Sequence, residues 1–111
     1  MDPKIWGPPT WFFLHTSALN YPYKPTPQQK HNFKQFLINI GGVLPCQTCQ
    51  DHYNYYLTKY SIDEAVQSKE KAFKWMVDIH NAVNKQLGKP LMDISCAYTK
   101  YRNHYGLEPD H

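Results

Sequence analysis

Apolar residues recur every three or four positions along most of the chain, which is the spacing of one face of an α-helix. One such face is formed by Phe33, Phe36, Leu37 and Ile40. It predicts a helix that begins after Thr26, carries Pro27 in its first turn and weakens at Gly41 and Gly42. No segment alternates apolar and polar residues as a half-buried strand does, so the pattern predicts an all-α fold.

Four further segments are predicted to be helical from the same spacing. We expect a first helix from Pro8 or Pro9 to about Leu19, a third from near Pro45 to about Lys59, a fourth from Ser61 or Lys69 to Leu87, and a short fifth from Cys96 to His104. The segment SIDEAVQS is expected to form a short separate helix before the fourth. The prediction is a four-helix bundle with a short fifth helix, in a single domain covering residues 1–111.

The composition narrows the classes of function. Hydrophobic residues make up 41% and aromatic residues 15% of the 111 positions, which indicates a folded domain, and the net charge is +3. Lys69, Lys71 and Lys74 are interrupted by Glu70, as on a solvated helix face rather than a nucleic-acid surface. No run approaches the roughly 20 apolar residues of a membrane span. We therefore expect a cytoplasmic protein without a nucleic-acid or membrane partner.

The stretch LPCQTCQDHY contains two of the three cysteines, Cys46 and Cys49. Such a pair can exchange electrons as a dithiol and a disulfide, can supply half of a zinc site, or can be inert. Just after Pro45, Cys46 is expected in the first turn of the third helix, where unpaired backbone N–H groups lower a thiol pKa. Cys46 would then be the exposed, reactive sulfur. Cys49 lies on one stripe with Tyr53 and would face the interior.

Redox exchange is the favoured interpretation of this pair, because no second Cys-x-x-Cys or His-x-x-x-His supplies the remaining zinc ligands. A zinc-stabilised helical interaction module remains the alternative, and no metal ligands are assigned. A thiol–disulfide reductase without flavin is also open, although the chain lacks the βαβ pattern of a thioredoxin-like fold. A purely structural bundle is the last possibility.

Two other helices carry a polar or aromatic stripe beside their apolar face. His80 and Asn84 lie one turn apart on the fourth helix, which suits either an inter-helix hydrogen-bond network or a ligand groove. Trp11 and His15 are one turn apart on the first helix, and they suit either the core or the sides of a planar ring. A planar redox cofactor held between helices beside Cys49 would contact the stripes of all three helices.

Three motifs in this order, WGPPTWFFLHT, CQTC and HNAVNKQLGK, resemble the Erv/ALR family of FAD-linked sulfhydryl oxidases over about residues 3–102. The resemblance implies a helical bundle that holds FAD between its helices, usually as a homodimer. It implies the oxidation of two thiols by O2 to a disulfide and H2O2. The short form is similar to the branch found in large DNA viruses that assemble in the cytoplasm. This similarity implies a cytoplasmic or virion-associated enzyme that forms disulfides in viral proteins during virion assembly.

The resemblance also implies roles for individual residues. Cys46 would exchange with the thiol of a substrate protein, and Cys49 would lie next to the flavin. FAD would be contacted by aromatic, polar and basic residues, which are Lys4, Gly7, Trp11, His15, Tyr53, His80, Asn81, Val83, Asn84, Lys85, Lys89 and Arg102.

The chain departs from the family pattern in two places. Family members commonly carry a structural disulfide whose first cysteine would stand at the position of Val77. Cys96 has therefore lost its partner, and we expect it to be a buried free thiol. There is also no second redox pair to relay electrons, so a substrate must reach Cys46 directly.

Overall fold

The computed structural model describes residues 1–105, and within this range it contains six α-helices and no β-strand. The helices are α1 Pro3–Leu19, α2 Pro27–Asn39, α3 Gln47–Lys59, α4 Ile62–Ala65, α5 Lys69–Gln86 and α6 Ile94–Tyr105. A short 3-10 turn, Ile40–Gly42, follows α2. The predicted all-α fold is confirmed. The separate helix predicted for SIDEAVQS is α4, and the predicted short fifth helix is α6.

Helix α1 begins at Pro3, and the prediction that it opens at Pro8 or Pro9 is wrong. The carboxylate of Asp2 caps the helix by accepting a hydrogen bond from the backbone N–H of Lys4 at 2.9 Å. Pro8 and Pro9 lie inside the helix, where their missing N–H groups leave two carbonyls of the preceding turn without intrahelical partners. The first turn of α1 contributes to the lining of the cavity described below.

Helix α2 begins where the sequence predicts, because two side chains cap it reciprocally. The hydroxyl of Thr26 accepts from the backbone N–H of Gln29 at 3.1 Å, and the Gln29 carboxamide oxygen accepts from the Thr26 N–H at 2.9 Å. Pro27 follows in the first turn, where its fixed backbone angle suits a helix. This capping box satisfies two backbone donors that would otherwise lack partners.

The turn after α2 lets α3 approach closely. Gly41 is buried, and the side chain of Asn54 on α3 donates to its carbonyl oxygen at 3.4 Å. A Cβ at Gly41 would overlap the Asn54 carboxamide. The absence of a side chain at Gly41 therefore sets the position of α3, and with it the position of the cysteine pair at its N-terminus.

The core lies where α1, α5 and α6 pack together, with Leu37 contributed by α2. Its buried apolar members include Leu14, Ala18, Leu19, Leu37, Met76, Ile79, Ala97 and Tyr101. Each large side chain contributes roughly 1.5–3 kcal/mol through its removal from water. Between residues 1 and 105, no helix combines the length and the apolar character that crossing a membrane requires.

Helix α5 ends at Gln86, close to the predicted stop at Gly88 and Pro90. Gly88 has a positive φ of +72°, a conformation that glycine adopts without strain. Because the backbone changes direction at Gly88, the backbone N–H of Lys89 can donate to the carbonyl oxygen of Asn84 at 2.8 Å. This turn folds Lys89 back against the cavity that α5 borders.

Candidate active site

A cavity of about 610 Å³ is enclosed by residues of α1, α3 and α5 and by the segment before α3. Most of the residues selected from the sequence lie in its lining, namely Lys4, Gly7, Trp11, Cys46, Cys49, Tyr53, His80, Val83, Asn84 and Lys89. Four others lie outside the lining, namely His15, Asn81, Lys85 and Arg102. The volume is within the range of about 300–1,000 Å³ that small-molecule and cofactor sites occupy.

Sequence reasoning missed part of this lining. Asp2, Pro3 and Trp6 come from the first turn of α1, which the sequence analysis left out of the helix. Gln86 and Leu87 also line the cavity. They follow Val83 by three and four residues, which places all three side chains on the same side of the helix. This spacing in the sequence could have predicted that they line the cavity.

Cys46 is the N-cap of α3, one position before the first turn that the sequence predicts for it. Its backbone is extended, and its sulfur accepts a hydrogen bond from the backbone N–H of Cys49 at 3.2 Å. Both cysteines are free and half-buried. The cap places Cys46 Sγ at the positive end of the helix dipole, which favours a thiolate.

The two sulfurs differ in their acidity. The hydrogen bond from the Cys49 thiol lowers the pKa of Cys46, and the bond from the Cys49 backbone N–H lowers it further. The pKa of Cys49 is raised to about 11, mainly by burial and next by its hydrogen bond to Cys46 and the charge on that sulfur. In the reduced pair, Cys46 is therefore the more acidic of the two thiols.

Trp11 and His80 form a stacked pair in the cavity wall. Their ring centroids are 4.0 Å apart and their planes are inclined by 8°. His15 packs edge-on against both rings, from behind the wall, and is fully buried. The sequence predicts His15 as a cofactor contact, but the structure places it one layer behind His80.

Two imidazoles of this cluster are neutral in the folded protein. The pKa of His15 is lowered to about 3, mainly by burial and next by the nearby His80. Burial also lowers the pKa of His80 to about 4, with smaller contributions from the charges of Lys100 and Lys89. At neutral pH neither ring carries a charge.

The polar residues after His80 divide into two roles. Asn84 is buried and lines the cavity. Asn81 faces the segment before α6, where its amide donates to the Met92 carbonyl at 2.9 Å and its oxygen accepts from the Met92 N–H at 2.7 Å. Asn81 thus ties α5 to the segment before α6, whereas Asn84 lines the cavity and is available to a ligand.

The basic residues selected from the sequence are also separated. Lys4 and Lys89 line the cavity, whereas Lys85 is exposed on α5 and is not part of the lining. The guanidinium carbon of Arg102 lies 5.7 Å from the centre of the Tyr98 ring on the same helix, a cation–π contact. Lys4 of α1 and Lys89 after α5 are therefore the cationic side chains that line the cavity.

A hydrogen-bond chain joins α3 to α5 beside the cysteines. The Tyr56 hydroxyl donates to the Gln86 side-chain oxygen at 2.5 Å, and the Gln86 amide nitrogen lies 2.8 Å from the His52 ring nitrogens. Tyr53 donates to the Leu37 carbonyl, which ties α3 to α2. These bonds hold the helix that carries Cys49 against its neighbours.

Cys96 is exposed on α6, so the prediction of a buried free thiol is wrong. Val77, at the position where the family pattern has a cysteine, is buried in the core. Among residues 1–105, no three side chains of His, Cys, Asp or Glu gather in a group that could hold a metal ion.

Comparisons with known proteins agree with this architecture. The model of the Erv1/Alr family matches residues 8–105. The "Mitochondrial FAD-linked sulfhydryl oxidase erv1" of Schizosaccharomyces pombe is 39% identical over 87 residues, covering 78% of this chain and 48% of that protein. The "Probable FAD-linked sulfhydryl oxidase R368" of Acanthamoeba polyphaga mimivirus is 41% identical over 93 residues, covering 83% of this chain and 65% of that protein.

This chain therefore spans about half of the first relative and less than two thirds of the second. The crystal structure of the FAD binding domain of Erv1 from Saccharomyces cerevisiae superposes with a TM-score of 0.87 and 34% identity, covering 97% of this chain and 99% of that domain. The match to the family model and the identity of the relatives lead to one conclusion. The chain belongs to the Erv1/Alr family.

Proposed function

We propose that residues 1–111 form a single FAD-linked sulfhydryl oxidase domain, which forms disulfides in protein substrates. The observation that carries this proposal is the position of Cys46 and Cys49 in the lining of a cavity whose wall includes a stacked Trp11–His80 pair. A reactive dithiol beside a cofactor-sized, aromatic cavity is the arrangement that two-electron exchange with a flavin requires.

The donor set of the cavity fits FAD, as three of its features indicate. The lining is mainly apolar and aromatic, as a planar ring system requires. Lys4 and Lys89 supply positive charge for a pyrophosphate, and the capped N-terminus of α1 lies beside Lys4. Asn84 adds an amide that can both donate and accept hydrogen bonds. We propose that these residues, with Trp11 and His80, hold the cofactor.

When bound, FAD supplies a two-electron acceptor for the dithiol and passes the electrons to O2, which gives H2O2. The chain itself performs the thiol exchange. A substrate thiolate attacks Cys46 Sγ of the oxidised pair, which breaks the Cys46–Cys49 bond and forms a mixed disulfide with Cys46. The electron pair of the broken bond remains on the sulfur of Cys49.

The second half of the exchange releases the product. A second substrate thiolate attacks the substrate sulfur of the mixed disulfide, which forms the substrate disulfide and expels Cys46 as a thiolate. The lowered pKa of Cys46 makes it a good leaving group. Two substrate thiols have then lost two electrons, and the Cys46–Cys49 pair has gained them as a dithiol.

We also propose that the protein is a homodimer that pairs through α1 and α2. Phe12 and Phe13 are 41% and 56% exposed on α1, and Phe13 meets Phe36 of α2 edge to face at 5.9 Å. Aromatic residues exposed side by side are typical of an interface. Phe13→Asp should halve the mass measured by sedimentation, whereas Tyr55→Asp, on exposed Tyr55 of α3, should leave it unchanged. A wild type that sediments as a monomer would contradict the proposal.

We propose a viral setting for the substrates, in which the enzyme acts in the host cytoplasm or in the virion and oxidises viral proteins during assembly. The mimivirus relative, which is 41% identical to this chain, supports this setting. The substrates would be proteins with accessible thiols, because Cys46 is half-buried in the cavity lining.

The proposed activity is tested with the purified wild-type protein. FAD should remain with the protein through gel filtration and give a visible flavin spectrum. A reduced protein substrate should then drive O2 consumption, with H2O2 as the product. A colourless protein that takes up no FAD when the cofactor is added would overturn the proposal, and so would a flavoprotein that consumes no O2 with thiols.

A further inference from the structure

Two hydrogen bonds connect Trp11, His15 and His80 into a chain that ends at the cavity. The Nδ1 atom of His15 lies 3.1 Å from the backbone carbonyl oxygen of Trp11. The Nε2 atom of His15 lies 3.4 Å from the Nδ1 atom of His80. His15 is fully buried behind the wall, and His80 lines the cavity.

The backbone carbonyl of Trp11, at one end of this series of hydrogen bonds, determines which ring nitrogens carry protons. A carbonyl oxygen only accepts hydrogen bonds, so Nδ1 of His15 must carry the proton. The ring is neutral, and its Nε2 is therefore an acceptor. Nδ1 of His80 must then be the donor to that nitrogen. His80 is also neutral, so its Nε2 carries a lone pair.

We infer that His15 is a positioning residue that fixes His80 as the Nδ1–H tautomer, so that His80 presents a hydrogen-bond acceptor, Nε2, to FAD. The inference rests on the proposed location of FAD in this cavity. Nε2 then receives a hydroxyl or amino hydrogen of the cofactor, because phosphate oxygens are acceptors and cannot bond to it. Recognition of the pyrophosphate falls to donors such as Lys4 and Lys89, which line the cavity.

The stacking of Trp11 on His80 supports this assignment. The two rings are nearly parallel at 4.0 Å, which fixes the plane of the imidazole. The bond to His15 fixes the rotation of the ring within that plane. His80 is thus held at two points, and the direction of its Nε2 lone pair is set before the cofactor arrives.

Long-range ¹H–¹⁵N NMR of the wild type tests the inference directly, with and without bound FAD. At neutral pH both histidines should show a protonated Nδ1 and an unprotonated Nε2, and FAD should shift the Nε2 resonance of His80. A protonated Nε2 on His80 would overturn the inference. If saturating FAD does not shift the Nε2 resonance of His80, the proposed hydrogen bond from FAD to this nitrogen is wrong, while the oxidase activity could still be present.

Two variants separate positioning from packing. His15→Phe keeps a buried ring but removes the acceptor, so His80 should lose its single tautomer and FAD affinity should fall about tenfold. Phe73→Leu changes the packing at the edge of His15, where the ring centroids are 5.8 Å apart. It should leave the His80 tautomer and FAD affinity unchanged. If His15→Phe retains the single His80 tautomer and the wild-type FAD affinity, His15 has no positioning role. If that variant does not fold, the wild-type tautomer alone decides.

Discussion

Cys46 caps helix α3 with its own sulfur, which accepts the backbone N–H of Cys49 at 3.2 Å. The reactive sulfur and its partner are therefore joined by the helix cap itself. One geometric feature starts the helix and separates the acidities of the two thiols, because Cys49 donates to Cys46 through both its backbone and its side chain.

Alkylation of the reduced protein should distinguish these two thiols. With Cys96 replaced by serine, a brief iodoacetamide pulse without oxygen should label Cys46 well before Cys49. The pKa of Cys46 is lowered and that of Cys49 is raised to about 11, and only thiolates react. Mass spectrometry of the peptides measures the order. Equal labelling of the two, or faster labelling of Cys49, would contradict the assignment.

Loss of the indole in the cavity wall should weaken cofactor binding. Trp11→Ala should lower FAD affinity by about tenfold or more, because it removes an aromatic surface that stacks in the cavity. Trp75 provides a matched control. It is buried in the core, its Nε1 donates to the Tyr60 carbonyl at 3.1 Å, and it is not part of the cavity lining.

The comparison uses the same replacement at both tryptophans. Trp11→Phe should weaken FAD binding measurably in a calorimetric titration, while Trp75→Phe should retain wild-type affinity in spite of lower stability. Equal losses at the two positions would mean that the effect of Trp11 is on folding alone.

The turn before α3 should be sensitive to a single methyl group. Gly41→Ala places its Cβ on the Asn54 carboxamide, which must move away and give up its bond to the Gly41 carbonyl. The free energy of unfolding should fall by about 1 kcal/mol. Gly42→Ala meets no atom within 4 Å and should be neutral or slightly stabilising.

A double-mutant cycle isolates this contact. In an Asn54→Ala background, the difference between Gly41→Ala and Gly42→Ala should disappear, because the overlapping group has been removed. Urea unfolding measures all the variants. A difference that persists in that background would show that the Asn54 contact is not its cause.

Acid should destabilise the protein through its buried imidazoles. The pKa of His15 falls from 6.5 to about 3 on folding, so between these values the unfolded chain binds more protons than the folded one. The free energy of unfolding should therefore fall as the pH drops from about 6.5 toward 3, by up to about 1.4 kcal/mol per pH unit for one histidine.

Replacement of His15 tests this dependence with FAD held at saturation. His15→Phe removes a titrating group and should flatten the stability curve over that pH range. Phe73→Leu lowers stability without removing such a group, so its curve should run parallel to the wild type. Parallel curves for all three proteins would exclude His15 as a source of acid sensitivity.

Local signals in the sequence predicted some elements well. Thr26 and Pro27 mark the start of α2, and the structure shows that Thr26 caps it together with Gln29 without help from the rest of the fold. The start of α1 could not be predicted from such local signals. Pro8 and Pro9 suggest a beginning, whereas packing and the Asp2 cap extend the helix past them.

The sequence also does not show which side chains line the cavity and which lie behind its wall. The spacing of Trp11 and His15 puts them on one helix face, but it does not show that His15 lies behind the wall. Lys85 and Lys89 both lie near the C-terminus of α5, and the sequence alone does not show which of them reaches the cavity. Only the positive φ of Gly88 brings Lys89 to the cavity, while Lys85 remains exposed on α5.

The role of Cys49 as the sulfur next to the flavin is measured by thiol-dependent O2 consumption of the FAD-loaded Cys49→Ser variant. We expect this protein to keep its flavin spectrum and its fold but to oxidise no thiols, while Cys96→Ser, with its change on the exposed face of α6, retains wild-type turnover in the same assay. If Cys49→Ser consumes O2 at the wild-type rate, Cys49 does not transfer electrons to FAD.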